Sequence, residues 1–147
     1  MDKRLNLLLA DDDVDDCDFF NDALDEMGLS VNFSTVSNGV ELMALLHSDQ
    51  KSHPDLLFLD LNMPKKSGME CIEELKTNDD TRNIPIVVFS TSMDTGVVDK
   101  LYHLGAHFYI QKPGEFKNLK AVIKKAISAF AHGQLPPRSK ELFIIQP

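Results

Sequence analysis

The sequence predicts an α/β fold: a doubly wound, five-stranded parallel sheet with helices on both faces. Two observations carry that prediction. Short apolar runs alternate with segments of helical period through five rounds between residues 5 and 130. Such alternation favours a parallel sheet linked by right-handed crossovers. The central run, LLFLDL at residues 56–61, is almost continuously apolar, as a strand covered on both faces must be. The size agrees: 147 residues, 43% hydrophobic and 26% charged, suit one packed domain.

The elements follow in order. Residues 5–10 (LNLLLA) read as a buried strand. Cys17, Phe20, Leu24 and Met27 then step by three and four, the spacing of one helical face, and Gly28 supplies a helix stop. Val31, Phe33 and Thr35 alternate as a second strand. Asn38 and Gly39 turn the chain into a helix carrying Val40, Leu42, Met43, Leu45 and Leu46, which His53 and Pro54 terminate. The third strand is residues 56–61. Ser67 and Glu70 form an S-x-x-E capping box ahead of Met69, Ile72 and Leu75. Residues 78–83 are a polar loop, and Pro85 leads into a fourth strand at residues 86–89. Asp94 caps a helix running through Leu104, with Gly105 as its stop. Residues 107–111 make a shorter fifth strand. Phe116, Leu119, Ile123, Ile127 and Phe130 mark a last amphipathic helix. Lys117, Lys120, Lys124 and Lys125 lie on its polar side, as a solvated face or a docking surface for an acidic partner. The domain therefore spans residues 4–131. Residues 132–147, HGQLPPRSKELFIIQP, are too short for a second domain. They read as a flexible tail, an added edge strand or an interaction segment, with no role assigned.

Bulk properties narrow the function. A net charge of −8 and the lack of a basic arm argue against a nucleic-acid backbone as main partner. No apolar run approaches the roughly 18 residues of a membrane span. The start MDKRLNLLLADDD has too short an apolar stretch for a signal peptide, so a cytoplasmic location is expected. Cys17 and Cys71, the two cysteines, form no disulfide framework and sit at core-packing positions. The five histidines show no metal-ligand spacing.

In an open parallel sheet, ligands bind at the carboxyl ends of the strands. The first strand ends in Asp11, Asp12 and Asp13, the third carries Asp60 near its end, the fourth ends in Ser90, Thr91 and Ser92, and the fifth ends in Lys112 and Pro113. Carboxylates, a hydroxyl and an ammonium from distant parts of the chain thus meet at one edge. Crowded carboxylates are tolerated when a divalent cation neutralises them, and oxygen donors of this kind suit Mg²⁺. A cation also lets a carboxylate attack a phosphoryl group. Asp60, at the sheet centre, is the candidate nucleophile. Lys112 supplies a compact positive charge to phosphoryl oxygens, and Ser90 a hydrogen bond. Asp13, Asp15 and Asp16 read as a solvated helix start, where acids favour the positive end of the dipole.

LLLADDD, LFLDLNMPKKSG, IPIVVFSTS and YIQKP, in this order and spacing, resemble the signature segments of response-regulator receiver domains of two-component signalling. The resemblance covers residues 4–131 and implies a flavodoxin-like fold of strand order 2-1-3-4-5. It implies Asp60 as phosphoacceptor and a metal ligand, Asp11 and Asp12 as the acidic pair with Asp12 a direct Mg²⁺ ligand, and the Asn62 backbone carbonyl as a further ligand. Ser90 then matches the Ser/Thr switch position, Tyr109 the aromatic switch, Lys112 the phosphate-binding lysine, and Pro113 a proline preceded by a cis peptide bond. Thr91 stands where a smaller residue is common and would narrow access to the site. The implied activity is that of a signalling switch and not an enzyme. Phosphoryl transfer from a histidine kinase or histidine phosphotransfer protein to Asp60 would change the surface offered to an unidentified output protein or to a second copy.

Two other classes compete. A Mg²⁺-dependent phosphohydrolase working through an aspartyl phosphate would want D-x-D-x-T at the nucleophile, whereas residues 60–64 read DLNMP. A binding module that never needs phosphate would leave the five site groups without a task.

Overall fold

The computed structural model describes residues 4–48, 53–133 and 140–147. Five strands, β1 (Leu5–Ala10), β2 (Val31–Val36), β3 (Leu56–Leu59), β4 (Ile86–Ser90) and β5 (Phe108–Gln111), form one sheet. All neighbouring pairs are parallel and the order is β2-β1-β3-β4-β5, the flavodoxin-like arrangement. Five helices join and follow them: α1 (Val14–Met27), α2 (Gly39–Ser48), α3 (Gly68–Thr77), α4 (Thr95–Leu104) and α5 (Phe116–Ala131).

Side-chain alternation along the strands divides the core in two. Leu7, Leu9, Phe58, Val87 and Ile110 face α1 and α5, while Leu8, Ala10, Leu57, Val88 and Tyr109 face α2, α3 and α4. Strands β3 and β4 are buried at every position, which explains their unbroken apolar text. The edge strand β2 is mostly half-buried or exposed: Thr35 faces solvent and Val36 is its buried residue. On the α1/α5 face, Phe20 packs against Phe58, Phe33 and Phe89 with ring centroids 4.9, 5.3 and 5.6 Å away.

The local signals perform as the chain suggests. Asp13 caps α1, its carboxylate accepting from the Asp15 and Asp16 N–H groups. Gly28 and Gly105 end α1 and α4 with φ of +66° and +97°, a region that glycine enters without steric cost. The Ser67–Glu70 capping box is formed at both ends. Asp94 accepts from Val97 N–H at the start of α4. Three boundaries differ from expectation. β3 stops at Leu59, so Asp60 stands just beyond the ladder. β4 extends to Ser90. β5 begins at Phe108, because the His107 ring turns back to accept the Ile86 N–H through Nδ1 at 3.0 Å.

Part of the C-terminal segment is ordered against this frame. Lys140–Phe143 make one helical turn, α6, and Ile144 forms a parallel bridge to Tyr109. Pro136 and Pro137 lie outside the described residues. Among the described residues, no helix is long and apolar enough to cross a membrane.

Candidate functional site

Parallel strands in register deliver their last residues to one edge. Val36, Ala10, Leu59, Val88 and Tyr109 form a row across the sheet. Asp11 and Asp60 come one residue after that row. Their N–H groups extend the ladder, to Val36 O at 3.0 Å and Ala10 O at 2.9 Å. Ser90 closes β4, and its carbonyl accepts the Lys112 N–H at 2.8 Å. The backbone ladder thus places these four residues before any side chain acts.

Asp60 is 4% exposed and Asp11 2%, while Asp12 faces solvent. One carboxylate oxygen from each lies within 4.8 Å of the others. Asn62 N–H donates to Asp60 Oδ1 at 3.3 Å, which sets the Asn62 peptide beside the cluster. A Cβ at Gly68 would stand 2.3 Å from the Asp60 carbonyl oxygen, so glycine alone lets α3 start this close to the acid.

One cation answers these acids. Lys112 Nζ lies 2.7 Å from Asp16 Oδ2, 2.8 Å from Asp11 Oδ2 and 3.4 Å from Asp60 Oδ2. Burial presses the ammonium toward neutrality, but the Asp11 and Asp16 carboxylates outweigh it and hold its pKa above that of an ordinary lysine. Asp60 is pushed up to about 6, chiefly by burial and further by Asp11, against the opposing charge of Lys112. Despite the short distance to Lys112, Asp11 Oδ2 makes no well-aligned hydrogen bond and is buried. It is therefore an acceptor with spare capacity. All-oxygen donors, two buried and one open to solvent, fit a divalent cation.

Asp16, expected on the solvated start of the helix, is instead the closest partner of Lys112. The signal was in the period. Asp16 precedes Phe20 by one helical turn, and Phe20 is fully buried against the sheet. Residues on that face one turn earlier must overhang the strand ends.

Ser90 is fully buried, and its hydroxyl accepts the Ser92 N–H at 3.3 Å. Among the described residues no hydrogen bond joins it to Asp60. Thr91 is exposed at the rim. Tyr109, the residue at the aromatic switch position, is fully buried, with its hydroxyl donating to Ser92 O.

The response regulator receiver domain family matches residues 7–124 of this chain. The chain belongs to that family. This receiver is 30% identical over 122 residues to the response regulator Rcp1 of Synechocystis, across 80% of this chain and 83% of that protein. Its fold superposes on the phosphorylated cyanobacterial phytochrome response regulator RcpA with a TM-score of 0.80, at 29% identity, over 92% of this chain and 99% of that one. The Mn²⁺-bound form of Rcp1 superposes with a TM-score of 0.74 at 27% identity, over 97% and 99% of the two chains. The receiver's acid cluster and lysine thus occupy the sheet edge that the parallel topology makes its ligand edge.

Proposed function

We propose that this receiver is a phosphorylation-driven signalling switch with Asp60 as its phosphoacceptor. The observation that carries the reading is the meeting of Asp60, Asp11, Asp12 and Lys112 at one sheet edge. The donor is a phosphohistidine on a histidine kinase or histidine phosphotransfer protein. An Asp60 carboxylate oxygen attacks its phosphorus, the P–N bond breaks, and the electron pair leaves with the imidazole, whose other ring nitrogen carries the proton that makes it a neutral leaving group. The Lys112 ammonium keeps its protons and donates a hydrogen bond to one phosphoryl oxygen, and the Ser90 hydroxyl donates a hydrogen bond to another. Asp11, Asp12, Asp60 and the Asn62 carbonyl would hold Mg²⁺, a role supported by the Mn²⁺ form of the similar Rcp1. Bound there, the ion supplies positive charge that offsets the phosphoryl group and the carboxylates. The product adds about −1.5 to −2 charge, which draws Ser90 and Lys112 and resets the loop ahead of α4 that Tyr109 holds. An output partner reads that change as a shift between two packings. The protein is a signal carrier rather than an enzyme acting on a separate substrate. Both thiols are held up to about 11, mainly by burial, so Cys17 and Cys71 stay inert, as suits a cytoplasmic protein.

The test is intact mass after incubation with acetyl phosphate. A gain of one phosphoryl group is expected with Mg²⁺, no gain with EDTA, and no gain for Asp60→Asn. Full labelling of Asp60→Asn, or wild-type protein that neither acetyl phosphate nor a phosphorylated histidine donor labels, would overturn the assignment.

A further inference from the structure

The C-terminal segment packs where a switch tyrosine would have to move. Phe143 is fully buried, although it ends a four-residue turn near the chain terminus. Its ring meets Tyr102 of α4 at 5.4 Å and Tyr109 of β5 at 6.3 Å. The backbone then runs along β5: Ile144 bridges Tyr109, and the Ile145 N–H donates to Tyr109 O at 2.9 Å. Lys125 of α5 donates to Gln146 O at 2.6 Å, and Lys140 pairs with Asp99 of α4. Tyr109 is therefore fixed at three points, its hydroxyl by Ser92, its carbonyl by Ile145 and its ring by Phe143. A cleft of about 360 Å³ separates the segment's end from the site loop, with Lys112 and Pro113 on one wall and Ile145 and Pro147 on the other.

We propose that residues 143–147 are a built-in occupant of the groove formed by α4, β5 and α5, a latch that holds Tyr109 inward, so that latch docking and phosphorylation of Asp60 strengthen each other. The inference rests on the phosphoacceptor reading above. Its physical path is continuous. Ser90 Oγ accepts the Ser92 N–H, Ser92 O accepts the Tyr109 hydroxyl, and Tyr109 lies under Phe143. The Tyr109 ring is fully buried, with its hydroxyl on Ser92 and its face toward Phe143, while the segment is seated. If the phosphorylated packing also needs Tyr109 inward, the latch binds that packing better. Linkage then requires that the phosphorylated packing bind the latch better by the same factor. The face fits an extended segment with one aromatic anchor, an adjacent aliphatic pair and free backbone groups for the β5 edge. A partner using the face must present that chemistry and displace the latch.

The experiment measures both directions of the coupling on the full chain, with Mg²⁺–beryllofluoride as the phosphoryl mimic. Phe143→Ala removes the anchor. Ile145→Pro keeps the anchor and removes the N–H that Tyr109 O accepts. Calorimetric titration is expected to show about tenfold weaker mimic binding for each variant, equivalent to about 1.4 kcal/mol. Hydrogen exchange at the wild-type Ile145 amide is expected to slow about tenfold when the mimic is bound. Cooperative thermal unfolding of each variant checks that the fold survives. Unchanged mimic affinity in both variants, with exchange at Ile145 indifferent to the mimic, overturns the latch and leaves the phosphoacceptor reading intact. Wild-type protein that does not bind the mimic overturns both. Protection at Ile145 that grows with protein concentration, alongside a dimer by sedimentation, overturns the intramolecular latch by showing that the segment of a second copy fills the groove.

Discussion

Asp60 is a nearly buried carboxylate that shares one lysine with two other acids. Its pKa rises from 3.8 to about 6 on folding, mainly through burial. A group raised in this way favours the fold in its protonated form. Its contribution is complete below pH 3.8 and is lost as pH climbs through 6. Asp60→Asn removes the charge at every pH. In metal-free buffer the variant should therefore be more stable than wild type at pH 8. The advantage should vanish below pH 4. Thermal melts across that range check it, and a gap that does not change with pH would remove the shift. Lys112 gives a second prediction. Asp11 and Asp16 together lift its pKa against burial, so Asp16→Asn should lower the value read from the Nζ resonance by NMR titration. No change would mean that Asp11 holds the ammonium alone.

At the scale of elements, the turn between β3 and α3 matters most to the site. Ser67 accepts the Glu70 N–H at 3.2 Å, and Glu70 accepts the Ser67 N–H at 3.1 Å. Removing a cap of this kind costs about 1 kcal/mol, so Ser67→Ala should lower the unfolding free energy read from urea titration by that amount and leave phosphoryl labelling intact. Gly68 is different. A methyl there would meet the Asp60 carbonyl at 2.3 Å and the Leu61 Cα at 2.8 Å, and neither backbone atom can step aside without moving the acid. Gly68→Ala should therefore reduce the labelling rate of protein that is still folded, by at least tenfold; labelling at the wild-type rate would show that the turn can relax. The capping box was legible because its pattern is local. The role of Gly68 was not, because nothing near it in sequence tells how closely α3 approaches the end of β3.

For the whole molecule, the sheet divides two cores that alternate along every central strand. Phe20 anchors the one beneath α1 and α5, touching Phe33, Phe58 and Phe89. Phe20→Ala should cost roughly 3–5 kcal/mol. Because β1, β3 and β4 serve both cores, unfolding should remain a single transition by circular dichroism and by tyrosine fluorescence. Separate transitions would mean that the two cores melt independently. The tail belongs to this scale too. FIIQP looks unremarkable as sequence, and its importance comes from where the chain end returns.

The sequence alone determined the alternation of strands and helices, the helix caps and stops, and the edge at which Asp11, Asp12, Asp60, Ser90 and Lys112 gather. These follow from period, capping chemistry and the parallel direction of the strands, all of which act over short stretches or through topology. Tertiary structure alone decided that Asp16 holds Lys112, that Asp11 keeps a buried oxygen without an aligned partner, and that Phe143 and Ile145 close over Tyr109. Each of these depends on the distance between groups far apart in the chain. Periodicity can assign a residue to a face, but only packing in three dimensions brings that face to its partner.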